Sequence, residues 1–362
     1  MVGAMNLDVV RLTELIALAR GRGATDLHAG TGDAPALRIN GRITALDVPP
    51  LESTALEAFL EGALGRSRGQ HWKEHGSADV ACREGIGAPY RLHAYATMSG
   101  TRLALRFLAG EIPALEDLAL PTVVTSLARR TNGLIVFTGP TGSGKTTALA
   151  ALIDRINRTT ERVIVTVEDP VEYVHRPARS VISHCEVGRD VPDYAASIRG
   201  FMRADPDVIL VGEMRDRATM EAALSAAETG HLVLTTLHTS DAAQTIDRII
   251  DAFAGDSQAQ IRTQLASTLL AVISLRLVPL RNGEGRIASS EVLIGTDAVR
   301  AMIREGKTHQ LRNAIATGRA SGMRTLETSL SELVVRGTIA LDAARLVANR
   351  PAEVRDLERV AG

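Results

Sequence analysis

The sequence has little of what marks a disulfide-bonded, metal-caged or nucleic-acid-wrapping protein. Its two cysteines, Cys82 and Cys185, are far apart and form no CxxC pair, so neither a disulfide framework nor a zinc site is predicted. Aromatic residues make up only 3% of the chain, and 41 Lys and Arg nearly balance 42 Asp and Glu. Scarce stacking platforms and the lack of excess positive charge argue against a protein that wraps nucleic acid.

Long apolar runs are also missing. No uncharged apolar stretch approaches the ~18 residues that a membrane-spanning helix requires. Near the N-terminus, Asp8, Arg11 and Glu14 interrupt the apolar residues, whereas a secretory signal has a continuous apolar region. We therefore predict an amphipathic helix there, and a cytoplasmic or membrane-peripheral protein without a transmembrane segment.

The length of 362 residues, of which 45% are hydrophobic, is sufficient for two globular domains. Residues 1–108 alternate helix and strand patterns and predict a small α+β domain. Within it, Asn40-Gly41 separates two apolar runs and predicts a β-hairpin. Residues 109–122, which contain Pro113 and Pro121, are predicted to be an interdomain linker.

The pattern changes in the second predicted domain, residues 123–362. Short apolar runs alternate there with helical segments, and the runs are LIVFTG, RVIVTVED, DVILVGEM and HLVLTTLH. Because strands buried on both faces read as continuous apolar runs, this domain is predicted to have an α/β core with a largely parallel sheet. From about residue 295 the sequence predicts a helical C-terminal extension.

The segment GPTGSGKT follows a predicted strand and precedes a predicted helix, which is the context in which GxxxxGK[ST] binds nucleotide phosphates. Glycine-rich backbone can direct N–H groups at phosphate oxygens, Lys145 can neutralise them, and the Thr146 hydroxyl can bind Mg²⁺. ATP and Mg²⁺ are therefore the predicted cofactors. The predicted nucleotide-binding residues are Gly139, Pro140, Thr141, Gly142, Ser143, Gly144, Lys145, Thr146 and Thr147.

Acidic residues follow two of the predicted strands. Glu213 comes just after DVILV, where a carboxylate can orient the attacking water, and Gly212 stands where many P-loop ATPases have a second acid. A second acid for the metal must therefore come from elsewhere. The segment VEDPVEY offers Glu168 and Glu172, although turn and cap chemistry around its proline explains these acids equally well.

Histidines and arginines supply further candidates. His231 and His238 lie at the two ends of an apolar strand and can sense a γ-phosphate, but a lone histidine is as often structural. Arg199 and Arg203 are one helical turn apart, so they share a face. That face is either a solvated basic surface or a source of arginines for the ATP site of a neighbouring subunit.

Four ordered motifs carry a family resemblance. GPTGSGKTT, TVEDPVEY, DPDVILVGEMRD and AETGHLVLTTLHTSDAAQTIDRIID resemble the Walker A, Asp-box, Walker B and His-box segments of the type II and type IV secretion ATPase superfamily. The resemblance extends from ATDLHAGTG near residue 24 to the C-terminus, and AVRAMIRE at residues 298–305 is similar to the AIRNLIRE segment of the pilus retraction branch. Assembly ATPases usually carry a further N-terminal domain and a four-cysteine module, and this sequence shows neither.

The resemblance implies a PAS-like N-terminal domain, a RecA-like ATPase domain and a homohexameric ring. It also implies roles for Glu213 as the catalytic glutamate, for Glu172 in the Asp box, and for His231 and His238 in the His box. Mg²⁺ is expected to be bound by Thr146, Glu168 and Glu172, directly or through water. The arginines that the resemblance associates with nucleotide are Arg91, Arg106, Arg199 and Arg203.

The expected function is that of a hexameric motor that hydrolyses Mg-ATP to power type IV pilus retraction and twitching motility. Its expected partners are its own copies, an inner-membrane pilus platform protein and other pilus motor ATPases, with no nucleic acid. An accessory retraction paralogue and a conjugation or effector-secretion ATPase remain alternatives with the same chemistry. A RecA-like nucleic-acid motor is the alternative from a different class, and DNA stimulation of ATP hydrolysis would distinguish it.

Overall fold

The computed structural model describes residues 7–39, 41–82, 90–107, 111–283 and 285–355. The chain divides into two compact units, Met1–Glu111 with Pro170–Tyr173, and Ile112–Asp169 with Val174–Gly362. Each unit has its own β-sheet and its own hydrophobic core. Within the described ranges, no helix has both the length and the apolar composition needed to cross a bilayer.

The first unit is an α+β fold built on a six-stranded antiparallel sheet with the order β3-β2-β1-β6-β5-β4. Its elements are α1 (Leu7–Gly21), β1 (Asp26–Gly30), β2 (Ala36–Ile39), β3 (Arg42–Ala45), α2 (Ser53–His75), β4 (Ser77–Cys82), β5 (Tyr90–Thr97) and β6 (Gly100–Phe107). Ile39 pairs with Arg42 across the predicted hairpin, whose Asn40 lies outside the described residues. Leu12, Leu56 and Leu105 are fully buried in the core, which forms because alternate strand residues face the two helices.

The second unit is an α/β fold built on a seven-stranded sheet with the order β13-β12-β7-β11-β10-β8-β9. Its strands are β7 (Gly133–Thr138), β8 (Val163–Glu168), β9 (Val181–Glu186), β10 (Val208–Val211), β11 (Leu232–Leu237), β12 (Leu269–Pro279) and β13 (Arg286–Ile294). Its helices are α3 (Thr122–Leu127), α4 (Lys145–Thr159), α5 (Tyr194–Phe201), α6 (Arg217–Glu228), α7 (Ala242–Asp251), α8 (Gln258–Thr268), α9 (Asp297–Arg304), α10 (Leu311–Thr317), α11 (Leu326–Val335) and α12 (Leu341–Val347).

The predicted parallel core is confirmed, because β7, β8, β9, β10, β11 and β12 pair in parallel. Strand β7 is completely buried, and its residues alternate between the two faces of the sheet. Ile135 and Phe137 pack on the face covered by α4, whereas Leu134 and Val136 pack on the face covered by α6 and α7. Two layers of helices therefore hold β7 and the loop that follows it.

The C-terminal part of the unit combines predicted helices with strands that the sequence pattern did not reveal. Strands β12 and β13 form an antiparallel pair that extends the sheet beyond β7. Helices α9 to α12 follow, in agreement with the predicted helical extension after about residue 295, and α11 packs against β13. The phosphate-loop strand β7 is thus an interior strand, flanked by β11 and β12.

Candidate active site

Four parallel strands of the second unit end side by side at one edge of the sheet. Thr138 at the end of β7 pairs with Leu237 at the end of β11, and Val211 at the end of β10 pairs with both Thr235 and Val167. The residues that follow these strands therefore emerge at the same edge. Ligands of open α/β sheets bind at the carboxyl ends of the strands, so this edge is the candidate active site.

The glycine-rich loop leaves β7 in a conformation that requires glycine. Gly139 has φ 139°, and a Cβ there would lie 2.5 Å from the carbonyl oxygen of Leu275 on β12. Gly144 has φ 93°, and α4 begins at the next residue, Lys145. The loop thus ends in a helix N-terminus, whose N–H groups and partial positive charge favour phosphate.

Lys145 is folded back over this loop. Its side chain is buried, and Nζ donates hydrogen bonds to the carbonyl oxygens of Gly139 at 2.7 Å and of Pro140 at 3.0 Å. Among the described residues, the buried Ser143 hydroxyl inside the same loop has no hydrogen-bond partner. A buried cation, an orphan hydroxyl and a helix N-terminus in one loop fit the phosphate chain of a nucleotide.

The remaining members of the predicted loop lie at its tip and in the first turn of α4. Thr141 and Gly142 are exposed at the loop tip, and Thr146 and Thr147 stand half-buried in the first turn of α4. Thr146 therefore stands at the N-terminal end of α4, and its predicted role as a Mg²⁺ ligand remains a prediction.

Glu213 lies just beyond β10, facing the same edge. Glu213 is only 8% exposed, and its carboxylate oxygen Oε1 accepts a hydrogen bond from Arg215 Nη2 at 2.6 Å. The other oxygen, Oε2, is buried and lies 3.5 Å from His238 Nε2, which is too long for a strong hydrogen bond. A buried carboxylate with one oxygen paired and the other uncommitted suits a group that orients a water molecule.

His238 lies beside this glutamate and within electrostatic reach of Lys145. Burial, followed by the charge of Lys145, lowers the pKa of His238 below its ordinary value, and Glu213 opposes this effect only in part. The imidazole is therefore neutral near pH 7. Because a neutral imidazole has one donor and one acceptor nitrogen, His238 can relay a hydrogen bond but adds no positive charge.

Glu168 ends strand β8 and is almost completely buried. His184 on β9 stands beside it, with Nδ1 2.9 Å from Thr166 Oγ1 and 3.9 Å from Glu168 Oε1. His184 Nε2 accepts a hydrogen bond from the backbone N–H of His175, so Nδ1 carries the proton in the neutral ring. Sequence reasoning missed His184, because its partners lie on another strand.

Tyr194 was also missed, and no signal in the sequence marks it. A Cβ at Gly212 would lie 3.2 Å from the Tyr194 hydroxyl, so glycine at 212 leaves room for the phenol behind Glu213. Burial, and then the charges of Asp169 and Glu213, raises the pKa of Tyr194, and the phenol therefore stays neutral. The position that other P-loop ATPases give to an acid is here adjacent to a neutral hydroxyl.

Several predicted residues do not come to this edge within their own unit. His231 precedes β11 at the opposite edge of the sheet, where its Nδ1 contacts the Ala226 carbonyl oxygen at 3.0 Å. Helix α5 runs from Tyr194 back toward that opposite edge, so Arg199 and Arg203 lie away from the phosphate loop of their own chain. Both arginines are exposed and form no ion pair with any residue that the structure describes.

The other predicted residues belong to the first unit. Arg91 and Arg106 are directly opposite each other on β5 and β6, and Arg106 Nε donates to Asp26 at 2.8 Å. Glu172 is half-buried in the segment Pro170–Tyr173 and already has an interaction partner. The roles predicted for these three residues remain predictions.

Comparison with known proteins identifies the family of the chain. Residues 90–354 match the family described as type II/IV secretion system protein. The type IV pilus retraction ATPase PilT of Pseudomonas aeruginosa is 39% identical over 340 residues, which cover 94% of this chain and 98% of that protein. The type IV pilus ATPase PilU of the same organism is 34% identical over 343 residues, which cover 94% of this chain and 90% of that protein.

A solved structure extends the similarity to three dimensions. The crystal structure of the pilus retraction motor PilT with bound ADP has a TM-score of 0.87 and 38% identity to this chain. The match covers 98% of this chain and 100% of that one. The resemblance drawn from the four motifs is thereby confirmed, and the chain belongs to the type II/IV secretion system protein family.

Proposed function

We propose that the chain is a hexameric motor ATPase that hydrolyses Mg-ATP to power the retraction of type IV pili. The observation that carries the proposal is its 39% identity, over 94% of its length, to a pilus retraction ATPase. The site supports it, because a buried lysine, a buried glutamate and a neutral histidine converge on one sheet edge. In this role the protein works at the cytoplasmic side of the inner membrane, against a platform protein of the pilus.

Nucleotide binding begins at the phosphate loop. Lys145 exchanges the carbonyl oxygens of Gly139 and Pro140 for phosphate oxygens, and this exchange costs little because the cation already lies in the loop. The N–H groups at the start of α4 bind the same oxygens. Mg²⁺ bound with the nucleotide supplies Lewis-acid stabilisation of phosphoryl oxygens, and Thr146 and Glu168 are the residues of this unit that would hold it.

Hydrolysis then depends on Glu213. Its uncommitted Oε2 accepts a hydrogen bond from the attacking water and orients it, while Arg215 holds Oε1 in place. His238, which lies near both Lys145 and Glu213, responds to the presence or absence of the γ-phosphate, and its response changes the position of its own loop. Arg199 and Arg203 are exposed and unpaired within the described part of the chain, so they are available to the site of a neighbouring subunit.

The test replaces the native gene with Glu213→Gln in the organism that carries it, and counts surface pili and twitching cells. Excess pili without twitching are expected, because the variant binds ATP but does not turn it over. Absence of pili would assign the motor to pilus assembly instead. Glu221→Gln is the matched control, because Glu221 is an exposed glutamate on α6.

An accessory retraction motor is the second candidate, and the 34% identity to PilU over the same share of the chain favours it. The same strain distinguishes the two functions. Unchanged pilus number with weakened twitching under load would support an accessory motor, whereas unchanged pili and unchanged twitching would point to a secretion ATPase.

A further inference from the structure

The loop that carries His238 is anchored by a threonine of the phosphate-loop strand. Thr138 is the last residue of β7, is fully buried, and immediately precedes Gly139. Its hydroxyl lies 3.3 Å from the carbonyl oxygen of Leu237 and 2.8 Å from that of Thr239. One hydroxyl on the Walker A strand therefore contacts the residues on both sides of His238.

This contact continues into a chain of hydroxyl groups. Thr138 Oγ1 and Thr239 Oγ1 are 2.7 Å apart, and Thr239 Oγ1 is 2.7 Å from Thr245 Oγ1. Thr245 Oγ1 donates to the carbonyl oxygen of Asp241, also at 2.7 Å. Each hydroxyl has one proton, so Thr239 donates to Thr245 and Thr245 donates to Asp241, and the single Thr138 proton is directed at Thr239, whose hydroxyl and carbonyl oxygens are both within reach.

On its other side, β11 is hydrogen-bonded through Thr236 to the residues that follow β10, the Walker B strand. Thr236 Oγ1 donates to the carbonyl oxygen of Gly212 at 2.6 Å, immediately before Glu213. The Met214 N–H donates to the carbonyl oxygen of Thr236 at 3.1 Å, immediately after Glu213. The His-box strand is thus bonded at its end to both neighbours, on one side to the strand of Lys145 and on the other to the strand of Glu213.

His238 needs such anchoring because its own side chain is not held by packing. Its side chain is 51% exposed, and Glu213 at 3.5 Å is too far away to fix it by a strong hydrogen bond. The position of the imidazole is therefore set by the backbone of the residues beside it. That backbone is held by the buried hydroxyls, whose bonds are costly to leave unmade.

We infer that Thr138, Thr239 and Thr236 are positioning residues, which hold His238 and Glu213 in register with the phosphate loop for ATP hydrolysis. The inference rests on the proposed function, because it assumes that these side chains serve turnover. Their hydroxyls contact the backbone on either side of His238 and directly before Glu213, and it is through this backbone that they act. Their loss is expected to lower kcat far more than the affinity for nucleotide, since Lys145 is held by the carbonyl oxygen of Gly139 within the phosphate loop itself.

The chain contains a matched control. Thr235 lies on β11, next to Thr236, and is as fully buried as Thr138. Its hydroxyl, however, has no hydrogen-bond partner among the described residues. Thr235→Val removes a hydroxyl that has no hydrogen-bond partner among the described residues, whereas Thr138→Val removes one that contacts β11 and the residue after His238. Any general effect of a valine in the core of the sheet appears in both variants.

The experiment measures steady-state ATP hydrolysis and ADP affinity of the full-length chain for Thr138→Val, Thr138→Ser, Thr239→Val and Thr235→Val, each checked for folding by circular dichroism. Thr138→Val is expected to lower kcat about tenfold with ADP affinity changed less than threefold. Thr138→Ser, which keeps the hydroxyl, recovers kcat, and Thr235→Val leaves it unchanged. The double variant Thr138→Val with Thr239→Val loses no more than the worse single variant, because both break one chain.

Wild-type kcat in folded Thr138→Val and Thr239→Val would overturn the inference, as would equal losses in Thr138→Val and Thr138→Ser. If Thr138→Val does not fold, Thr239→Val and its serine counterpart carry the same comparison. Glu213→Gln separates this inference from the proposed function. Rapid turnover by Glu213→Gln removes the site assignment itself, whereas a stalled Glu213→Gln beside a fully active Thr138→Val removes only the positioning role.

Discussion

Glu213 Oε1 and Arg215 Nη2 are 2.6 Å apart, and this ion pair joins a buried carboxylate to an exposed guanidinium two residues further along the chain. The hydrogen bond that Arg215 donates to Glu213 raises the pKa of Arg215 above its ordinary value. Arg215 thereby compensates a charge that burial would otherwise destabilise. It also restricts the carboxylate to one orientation, with Oε2 directed into the site.

We predict that Arg215→Gln lowers kcat for ATP hydrolysis by about tenfold, roughly 1.4 kcal/mol of transition-state stabilisation. Glutamine retains a weaker donor but loses the charge that holds the carboxylate. Arg217→Gln is the control, because Arg217 lies two residues further on and packs over Phe253 at 5.5 Å. Equal kcat in the two variants would show that Arg215 does not orient Glu213.

Replacing glycine in the phosphate loop is predicted to be far more damaging at one position than at another. A Cβ at Gly139 meets the Leu275 carbonyl oxygen at 2.5 Å, whereas a Cβ at Gly142 has no described atom within 4 Å. Both positions have positive φ, so both alanines cost about 1 kcal/mol in backbone strain. Only Gly139→Ala must also displace β12, and we expect it to abolish ADP binding and lower Tm by several degrees more than Gly142→Ala in thermal unfolding.

Removing the buried cation of the phosphate loop is predicted to abolish nucleotide binding. Lys145→Ala takes away the only charged group that the described loop residues direct at phosphate, and a fluorescent ATP analogue measures the loss directly. Lys307→Ala is the control, because Lys307 is exposed and pairs with Glu305. Retained ATP binding or full activity in Lys145→Ala would remove this assignment.

A buried glutamate behind the His-box loop predicts a pH-dependent stability. Burial raises the pKa of Glu291 to about 7, although the N–H of Ala242, at the start of α7, donates to it at 2.8 Å. Asp241 and Glu327 raise this pKa further, and Arg312 opposes them. The ordinary value is 4.5, so the folded state holds a proton that the unfolded state has released between these two pH values.

Because the folded state binds the Glu291 proton more tightly than the unfolded state, the protein loses stability as pH rises. The stabilising contribution of protonated Glu291 is fully present below pH 4.5 and is lost as pH rises through about 7. Glu291→Gln mimics the protonated acid, so the difference in unfolding free energy between wild type and variant should change by a few kcal/mol between pH 5 and 8. Urea unfolding at four pH values measures it, and Glu221→Gln should show no such trend. Parallel curves for wild type and Glu291→Gln would contradict the prediction.

Sequence reasoning can select candidate site residues where the chemistry is local in the chain. The phosphate loop occupies eight consecutive residues after an apolar run, so one motif identifies it as a candidate. Glu213 comes two residues after the end of β10, so the apolar run of that strand points to it. Tyr194 and Thr138 escaped notice because their partners are distant in sequence. The Thr138 hydroxyl meets Thr239 across 101 residues of chain, and no pattern within a single window contains that contact.

Strand β13 was missed for a related reason. Its sequence, RIASSEVLI, places Ser289, Ser290 and Glu291 at buried positions and so breaks the apolar run that marks a buried strand. Tertiary partners satisfy all three polar side chains. Ser289 donates to Ser329 on α11, Ser290 accepts from Arg324, and Glu291 accepts from the start of α7.

The order of strands in the second unit also determines when the site can exist during synthesis. Strands β7 and β11 are neighbours in the sheet, yet Thr138 and Thr239 are separated by 101 residues. The flanking strand on the other side, β12, begins at Leu269. In a growing chain the apolar strand β7 therefore lacks its neighbour β12 until synthesis reaches Leu269, and before that point α4, which directly follows the phosphate loop, is available to cover one of its faces.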